Sequence, residues 1–463
     1  MAARIADTAL RILACVLLAS MIVAAWHDVS KAWDVWFYHL PFAARLFGIV
    51  DAASYTFGRA NQARFDGFPL FGEWMQGLLW KLTGRVECAS FVALAAIPGL
   101  AIFLRRLFAV RLHLTVLALL AVPLVQIHAT ACYVDLPANT CAAMLVLLAY
   151  RQVVLGTPPT VRVLVGAGAL AAATANTKFQ LVPIVLATSL VFVVLAMKRD
   201  PARSRRLFVL AAALPLVMAT PLKNLALHGN PVWPVELTVL GKSLPHIERA
   251  YASSPDWLEH SPRPIRFFAS VLELGLRPIA GHARWSIDQW TPPREPGYRM
   301  GGFFGAYVVV NVVALAVGAI RMKTRESRVA LAFAIGLTIV TSLMPQSHEL
   351  RYYLVWMLVL LALVLVVWAK HRPFVIAGVA VTALAIVTWS TEGTYLYASG
   401  DSFSTLVAAK VDAKVIEQVA PGSRICLDRQ PWTFLYAPRF HPARRYSVQE
   451  AEEEADCAGL PSP

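Results

Sequence analysis

The sequence predicts an all-α polytopic membrane protein of about 11 transmembrane helices, with interfacial helices outside the membrane and a small C-terminal α/β extension. Composition is the first reason, because 58% of the 463 residues are hydrophobic and only 15% are charged. The mean hydropathy of +0.58 is too high for a chain that solvates itself as a soluble domain. The net charge of +14 lies in short clusters between apolar runs rather than on one continuous face, which argues against nucleic-acid binding.

Apolar runs long enough to cross a bilayer recur along the chain. They predict spans at residues 9–26, 87–104, 112–128, 136–150, 161–177, 179–197, 207–222, 303–320, 329–344, 352–369 and 373–390. Clusters of Lys and Arg lie before the first span and after the second, fourth, sixth, eighth and tenth. All of them fall on one side of the membrane if the N-terminus is cytoplasmic, as the positive-inside rule requires.

This topology divides the chain into a membrane module, residues 1–390, and a tail, residues 391–463. Loops 27–86 and 223–302 lie outside the cytoplasm, and apolar residues at helical spacing predict interfacial helices in the first loop. In the tail, residues 403–419 read as a helix and 424–428 as a strand. The acidic run 450–456 is predicted to be a solvated helix face.

Six cysteines show no metal-binding spacing, and a disulfide between Cys426 and Cys457 requires an extracytoplasmic tail. The sequence has no GxxxxGK[ST] or GxGxxG loop, no HExxH zinc site and no GxSxG elbow. Nothing therefore argues for nucleotide hydrolysis, dinucleotide binding or these two kinds of hydrolase.

Polar side chains gather at the predicted outer ends of the spans, where ionisable groups are costly and usually functional. The candidate site residues are Asp34, Tyr38, His39, Glu73, Asp135, Lys178, Asn224, His348 and Arg351. Two carboxylates and at least two cations on one face suit an anionic lipid head group held beside a base.

Asp34, in the aromatic stretch after the first span, is the candidate general base, which takes a proton from an acceptor hydroxyl. The alternative is an interfacial Asp that caps the following helix. Tyr38 and His39 stand one helical turn further on and either share its cavity or form an amphipathic pair at the membrane boundary. Glu73 either faces the cavity or begins a helix, where a negative charge suits the dipole.

The second acid and the two cations also have more than one reading. Asp135 orients the acceptor, binds a divalent metal, pairs with Lys178 or caps the next helix. Lys178 and Arg351 neutralise a phosphate, snorkel to the interface, or answer a nearby carboxylate.

Taken in order, several segments resemble the GT-C membrane glycosyltransferases, especially the bacterial branch (glycosyltransferase family 39-like) of protein mannosyltransferases and lipid A aminoarabinose transferases. The segments are D-x-x-x-Y-H-L-P from Asp34 to Pro41, FPLFGEW with Pro69 and Glu73, YVDLP around Asp135, NTKFQ around Lys178, LKNLALHGNPVWP with Asn224, Gly229, Asn230, Pro231 and Pro234, and HELRYYL with Arg351. Singly each is weak, and as an ordered set they are fairly specific.

This resemblance implies an inverting sugar transfer on the periplasmic face, with a polyprenyl-phosphate sugar as donor and Asp34 as catalytic base. It also implies that Asp135 is the second catalytic acid and that Lys178 and Arg351 face the donor phosphate. No metal ligands or cofactor are predicted, and a divalent metal stays open. The acceptor, a glycan, a lipid or a protein with a hydroxyl or amine, is not identified.

The implied location is the bacterial inner (cytoplasmic) membrane, among its lipids, with the N-terminus cytoplasmic and the C-terminus periplasmic. Two other functions remain. A transporter or flippase for a lipid-linked sugar also needs cations and a lipid groove, but it predicts charges on both faces and usually repeated halves. A catalytically inactive family member would keep the same motifs.

Overall fold

A computed structural model describes residues 1–198, 201–250, 256–274, 284–285, 298–299, 302–389 and 395–452. Within these residues, six helices are long and apolar enough to cross a membrane: Ala2–His27, Val86–Phe108, Asp135–Leu155, Phe179–Ala196, Gly305–Met322 and Arg325–Leu343. Two bent pairs also pass this test, Leu112–Leu120 with Pro123–Ala129 and Arg203–Val217 with Ala219–His228. Shorter apolar helices are Val161–Ala175, Leu354–Trp368 and Pro373–Trp389.

Every predicted span overlaps one of these helices or bent pairs, so the prediction of a polytopic, mostly helical membrane protein is confirmed. At the third predicted span, near 112–128, the structure has a bent pair of helices. Leu112–Leu120 ends at a sharp break, and Pro123–Ala129 continues at 99° to it. Pro123 opens the second piece, because a proline lacks the N–H that a continuing helix would need and suits a first turn instead.

The centre of the bundle is the helix Leu354–Trp368. Every side chain from Leu354 to Val367 is buried. A helix that is apolar on all sides must be surrounded by other helices to lose its contact with solvent, and this one packs against Asp135–Leu155, Gly305–Met322 and Arg325–Leu343. Its first residue directly follows the polar turn that contains Arg351, so the core of the bundle fixes the position of that turn.

The first loop and the tail fold together outside the bundle. The loop contains the π-helix Val35–His39, the α-helices Leu40–Leu46, Arg59–Gly67 and Phe71–Thr83, and the strand Tyr55–Thr56. The tail contains the α-helices Phe403–Lys410 and Ala413–Gln418, the 3-10 helices Thr433–Tyr436 and Pro438–Phe440, and the strands Arg424–Asp428 and Ser447–Ala451. Ser447–Ala451 is the central strand of a parallel three-stranded sheet, between Tyr55–Thr56 and Arg424–Asp428.

The predicted strand at 424–428 is therefore present, whereas the predicted acidic helix is wrong where the structure describes it. Glu450 belongs to the central strand and is 3% exposed, because its carboxylate accepts hydrogen bonds from Gly58 and Asn61 of the first loop. Residues 453–456 lie outside the described residues. Cys426 is disulfide-bonded, and Cys457 also lies outside them.

The large loop adds short elements. They are the α-helices Asp256–Glu259 and Arg263–Val271 and the paired strands Thr238–Val239 with Lys242–Ser243 and Arg284–Trp285 with Tyr298–Arg299. Arg64 of the first loop forms a bidentate ion pair with Glu248 of this loop, with N–O distances of 2.6 and 2.7 Å.

Close backbone contacts hold the first loop against itself and against the large loop. A Cβ on Gly77 would lie 2.5 Å from the carbonyl oxygen of Ala43, so only glycine lets these two helices approach each other. At Gly67 an added Cβ would collide with the carbonyl oxygen of Trp233. These contacts fix the loop that carries Asp34 and Glu73.

Candidate active site

Asp34 and Arg351 meet at one end of the bundle although 317 positions separate them in the sequence. The Asp34 Oδ2 atom accepts a hydrogen bond from Arg351 Nη1 at 2.8 Å. The Asp34 side chain is 21% exposed and that of Arg351 8%. The carboxylate thus lies at the edge of the protein interior, where solvent or a substrate reaches it.

The backbone after Asp34 is a π-helix, Val35–His39, whose wide turn is closed by a hydrogen bond from the Leu40 N–H to the Val35 carbonyl. Such turns are rare and often occur at functional sites. Buried Trp36 anchors this turn, since its indole N–H donates to the Ser30 carbonyl at 2.7 Å. The local structure therefore holds Asp34 at a fixed place beside the bundle.

A second acid–base pair lies next to the first. Lys178 Nζ donates to Asp135 Oδ1, and the side chain of Asp135 is 1% exposed. The ring of Tyr352 connects the two pairs, with its centroid 4.4 Å from Lys178 Nζ and 5.0 Å from Arg351 Cζ. Both cations thus lie near the same aromatic ring, which is a favourable electrostatic contact for each. Of the alternatives for Asp135, the structure shows the pairing with Lys178.

Asn139 fixes the distance between the two helices that bear these groups. Its amide donates to the carbonyls of Asp135, at 2.8 Å, and Arg351, at 3.2 Å. Its oxygen accepts the Val355 N–H at 2.8 Å. This fully buried residue, near the start of the helix Asp135–Leu155, had no special place in the sequence prediction, although a polar amide within a predicted span is itself a signal.

His39 and Glu73 form a third, buried pair. The Nδ1 atom of His39 lies 2.7 Å from Oε1 of Glu73, and the two side chains are 4% and 3% exposed. Glu73 is also in the first turn of the helix Phe71–Thr83, as one of the two readings of this residue expects. The His39 ring contacts Tyr133 edge-on, with 5.6 Å between ring centroids, and Tyr133 lies 5.8 Å below Arg351. His39 is therefore buried next to the site rather than exposed at the boundary.

Tyr38 lies against Phe42 and Phe68, and its ring is 5.7 Å from the Arg64 guanidinium. Burial, and then the nearby Asp34 carboxylate, raise the pKa of the Tyr38 phenol well above its ordinary value. The hydroxyl consequently stays protonated at neutral pH and is a hydrogen-bond donor rather than a base.

Two of the predicted residues have other contacts. Asn224 is buried, and its amide donates to the carbonyls of Gly67 at 2.7 Å and Trp233 at 3.2 Å, so it braces the two outer loops. His348 is buried in the turn before Leu354–Trp368, with its Nε2 atom 3.9 Å from Glu349 Oε1.

Sequence reasoning missed three aromatic or basic neighbours of the site. Tyr133 and Tyr352 stand beside the predicted Asp135 and Arg351, and that adjacency was the available signal. His128 is fully buried within the predicted third span, 5.0 Å from the Tyr133 ring. Within the described residues, no group of three or more His, Cys, Asp or Glu side chains is placed to hold a metal ion, so we assign no metal ligands.

Comparison with known proteins supports the fold. No family model and no curated protein sequence matches the chain. Among solved structures, ArnT from Cupriavidus metallidurans, bound to undecaprenyl phosphate, aligns at a TM-score of 0.52 and 14% identity. The alignment covers 96% of this chain and 89% of that one. The same protein in the apo state aligns at a TM-score of 0.40 and 13% identity, over 97% of this chain and 90% of that one. An oligosaccharyltransferase from Archaeoglobus fulgidus aligns at a TM-score of 0.42 and 12% identity, over 96% of this chain and 64% of that one.

ArnT is an aminoarabinose transferase of the GT-C superfamily. The match to its complex extends over nearly the whole chain, through the spans, the first loop and the tail. At this level of identity the similarity concerns architecture. The resemblance inferred from the ordered motifs is thus confirmed for the fold: this multi-pass membrane protein has the GT-C fold.

Proposed function

We propose that the protein is a membrane glycosyltransferase that moves a sugar from a polyprenyl-phosphate donor to an acceptor hydroxyl or amine, with inversion at the anomeric carbon. The observation that carries the proposal is the contact between Asp34 and Arg351 in a chain with the GT-C fold. In an inverting transfer the base and the phosphate-binding cation stand on opposite sides of the attacked carbon, so this reaction needs both groups at one site and a separation of the pair when the donor enters.

In the proposed mechanism, Asp34 accepts the proton of the acceptor as its oxygen or nitrogen attacks the sugar. The polyprenyl phosphate leaves as an anion, so stabilisation by nearby cations matters more than acid assistance. Arg351 offers a planar fork for two phosphate oxygens and Lys178 a compact charge, and the Tyr352 ring is close to both. Asp135 holds Lys178 at the site.

Binding of the donor requires a change of partners. In the structure Arg351 bonds to Asp34, so a bound phosphate competes with that carboxylate for the guanidinium. The exchange links the two events, because the Asp34 carboxylate turns to the acceptor only when the phosphate has taken its partner. The partly exposed side chain of Asp34 supports this order of events.

We place this reaction on the periplasmic face of a bacterial inner membrane, with a cytoplasmic N-terminus and a periplasmic C-terminus. The asymmetric distribution of Lys and Arg between the loops supports the orientation. The acceptor, a glycan, a lipid or a protein, enters from the aqueous side.

The decisive experiment incubates membranes with radiolabelled polyprenyl-phosphate sugars and compares the wild type with Asp34→Ala. Labelled product that forms only with the wild type supports the proposal. A suitable control is Asp66→Ala, which removes an exposed carboxylate from the same loop. Label that crosses the membrane in the donor form, with no new product, would instead favour a transporter, and equal product with both proteins would refute the role of Asp34.

A further inference from the structure

A cavity of about 420 Å³ opens where the tail meets the first loop. It shares none of its lining with the pairs of the candidate active site. Its walls come from the end of the helix Phe71–Thr83, the turn after it, and the tail helices. The charged and aromatic residues of its lining include Trp80, Lys81, Arg85, Glu87, Arg439 and Phe440.

The charges of this cavity are not balanced. Three cations line it, Lys81, Arg85 and Arg439, against one carboxylate, Glu87. Arg85 lies 3.7 Å from Glu87, while in the described part of the chain neither Lys81 nor Arg439 forms an ion pair. Glu87 also accepts the Phe403 N–H at 3.4 Å and so faces the tail. Cations crowded into one cavity repel each other, and an anion between them relieves that repulsion.

The remaining wall is aromatic. Trp80 and Phe440 stack in parallel, with 6.4 Å between centroids and 6° between ring planes, and Phe403 meets Phe440 edge-on at 5.0 Å. Gly84 ends the helix in a left-handed turn with φ of 70°, and a Cβ there would meet no atom within 4 Å, so the turn leaves the mouth open.

The cavity lies beside the end of the first apolar helix, Ala2–His27. The Arg85 guanidinium rests over the ring of Trp26, 4.7 Å from its centroid, and donates to the Trp26 carbonyl at 2.8 Å. Trp26 lies at the end of the first span and is 41% exposed, and Leu82, beside Lys81, is 73% exposed. Exposed apolar side chains next to the cations of the cavity match an amphiphile whose tails stay in the bilayer and whose phosphate enters the protein.

We propose that this cavity binds the phosphate of an anionic membrane lipid through Lys81, Arg85 and Arg439. The Arg side chains supply planar forks for phosphate oxygens, Lys81 adds a point charge, and the stacked rings exclude water from one side. This site joins the tail to the first loop through the lipid, and it does not depend on the transfer reaction.

The test is a calorimetric titration of the purified full-length protein, in a non-ionic detergent, with dioctanoyl phosphatidic acid. The Lys81→Gln/Arg439→Gln variant is expected to weaken binding by roughly tenfold to a hundredfold, because each charge-assisted bond to phosphate is lost. The control Lys414→Gln/Arg444→Gln, with the same change in charge on exposed tail positions, should bind as the wild type does. Both substituted pairs are exposed, so unfolding temperatures should agree and exclude a folding defect.

Three results would overturn the proposal. Equal affinity of the wild type and the Lys81→Gln/Arg439→Gln variant would show that these side chains do not bind the lipid phosphate. Equally tight binding of dioctanoyl phosphatidylcholine would show that the net charge is irrelevant, and displacement by inorganic phosphate at similar concentrations would indicate a soluble anion instead of a lipid. The Lys81→Gln/Arg439→Gln substitutions should cause the same tenfold to hundredfold loss when they are introduced into a protein that already carries Arg351→Gln. That result separates this cavity from the proposed donor site.

Discussion

Two groups of charged side chains lie at the same end of the bundle, and their charges are arranged in opposite ways. In the candidate active site each cation already bonds to a carboxylate, Arg351 to Asp34 and Lys178 to Asp135. In the cavity beside the tail, Lys81 and Arg439 have no such partner among the described residues. A phosphate thus binds in the cavity without displacing a carboxylate from Lys81 or Arg439. In the active site it binds only by displacing a carboxylate from a cation.

This contrast indicates different tasks. An unpaired cluster favours an anion at all times, which suits a lipid that stays bound. A paired cluster holds its substrate more loosely, because binding must first break an internal ion pair. Binding is therefore coupled to the release of the carboxylate. Release of a charged product is correspondingly easier from the paired site.

The largest expected effect comes from Asp34→Asn, which removes the base and leaves Arg351 without its internal partner. Turnover should fall by about 10²–10⁴-fold. Affinity for polyprenyl phosphate should stay the same or rise, since the phosphate no longer competes with a carboxylate. Single-turnover assays and a separate binding titration measure the two quantities, and Asp66→Asn is the control. A parallel loss of donor affinity would contradict the exchange of partners.

Lys178→Gln should chiefly affect stability. It leaves the Asp135 carboxylate, 1% exposed, without a counter-charge, which costs about 3–5 kcal/mol for a buried pair. The double variant Asp135→Asn/Lys178→Gln should recover much of the unfolding temperature in detergent but none of the donor affinity. If it recovers neither, the pair is not the source of the lost stability.

Arg351→Lys keeps the charge and removes the fork. We expect donor affinity to fall by roughly tenfold, because one ammonium group cannot bond to two phosphate oxygens in the guanidinium geometry. The apparent dissociation constant for polyprenyl phosphate is the measurement. Arg372→Lys, at the other end of the central helix, is a matched control, and an unchanged constant in Arg351→Lys would show that the fork is not used.

Salt should have a smaller effect, and it should weaken lipid binding in the cavity more than it affects the buried Lys178–Asp135 pair. Raising NaCl from about 50 to about 500 mM shortens the Debye length to a few ångströms, so lipid binding in the exposed cavity should weaken several-fold. The unfolding temperature difference between the wild type and Lys178→Gln should change little, because that pair is buried. Equal salt sensitivity of both measurements would remove the distinction.

The smallest expected effect concerns Glu450, which fastens the tail that forms one wall of the cavity. Burial raises the pKa of this carboxyl above its ordinary value, against the hydrogen bonds from Gly58 and Asn61. The folded state thus holds the proton more tightly than the unfolded state, so the contribution to stability is greatest below the unfolded pKa and is lost as pH rises through the folded one. The unfolding temperature of the wild type relative to Glu450→Gln should be higher at pH 5 than at pH 8, and the opposite trend would contradict this account.

The spans and the convergence of the site were predictable from the sequence because both depend on strong, local signals. Long apolar runs define helices, and the Lys and Arg clusters assign every second loop to one side, which brings the ends that carry Asp34, Asp135 and Arg351 together. The break after Leu120 was less visible, since an apolar run looks the same whether the helix is straight or bent, although Pro123 was a hint.

Pairing could not be predicted. Whether Lys178 faces a carboxylate or a future ligand depends on side-chain packing between helices that are distant in sequence. Glu450 was assigned to solvent because acidic runs usually are solvated, yet the hydrogen-bond donors that make its burial tolerable lie in the first loop. The roles proposed for the site residues stay predictions until the variants above are measured.

The wide turn from Val35 to His39 has a consequence for how this segment tolerates change. It accommodates one residue more than a regular helical turn of the same height, and Trp36 and the buried helix Leu40–Leu46 anchor it at both ends. Loss of one residue there would let the turn close as an ordinary α-helix with its flanks still in register, whereas one further residue would swing the preceding acid by about 100°. Spacing, more than the identity of each aromatic ring, is what this segment has to preserve.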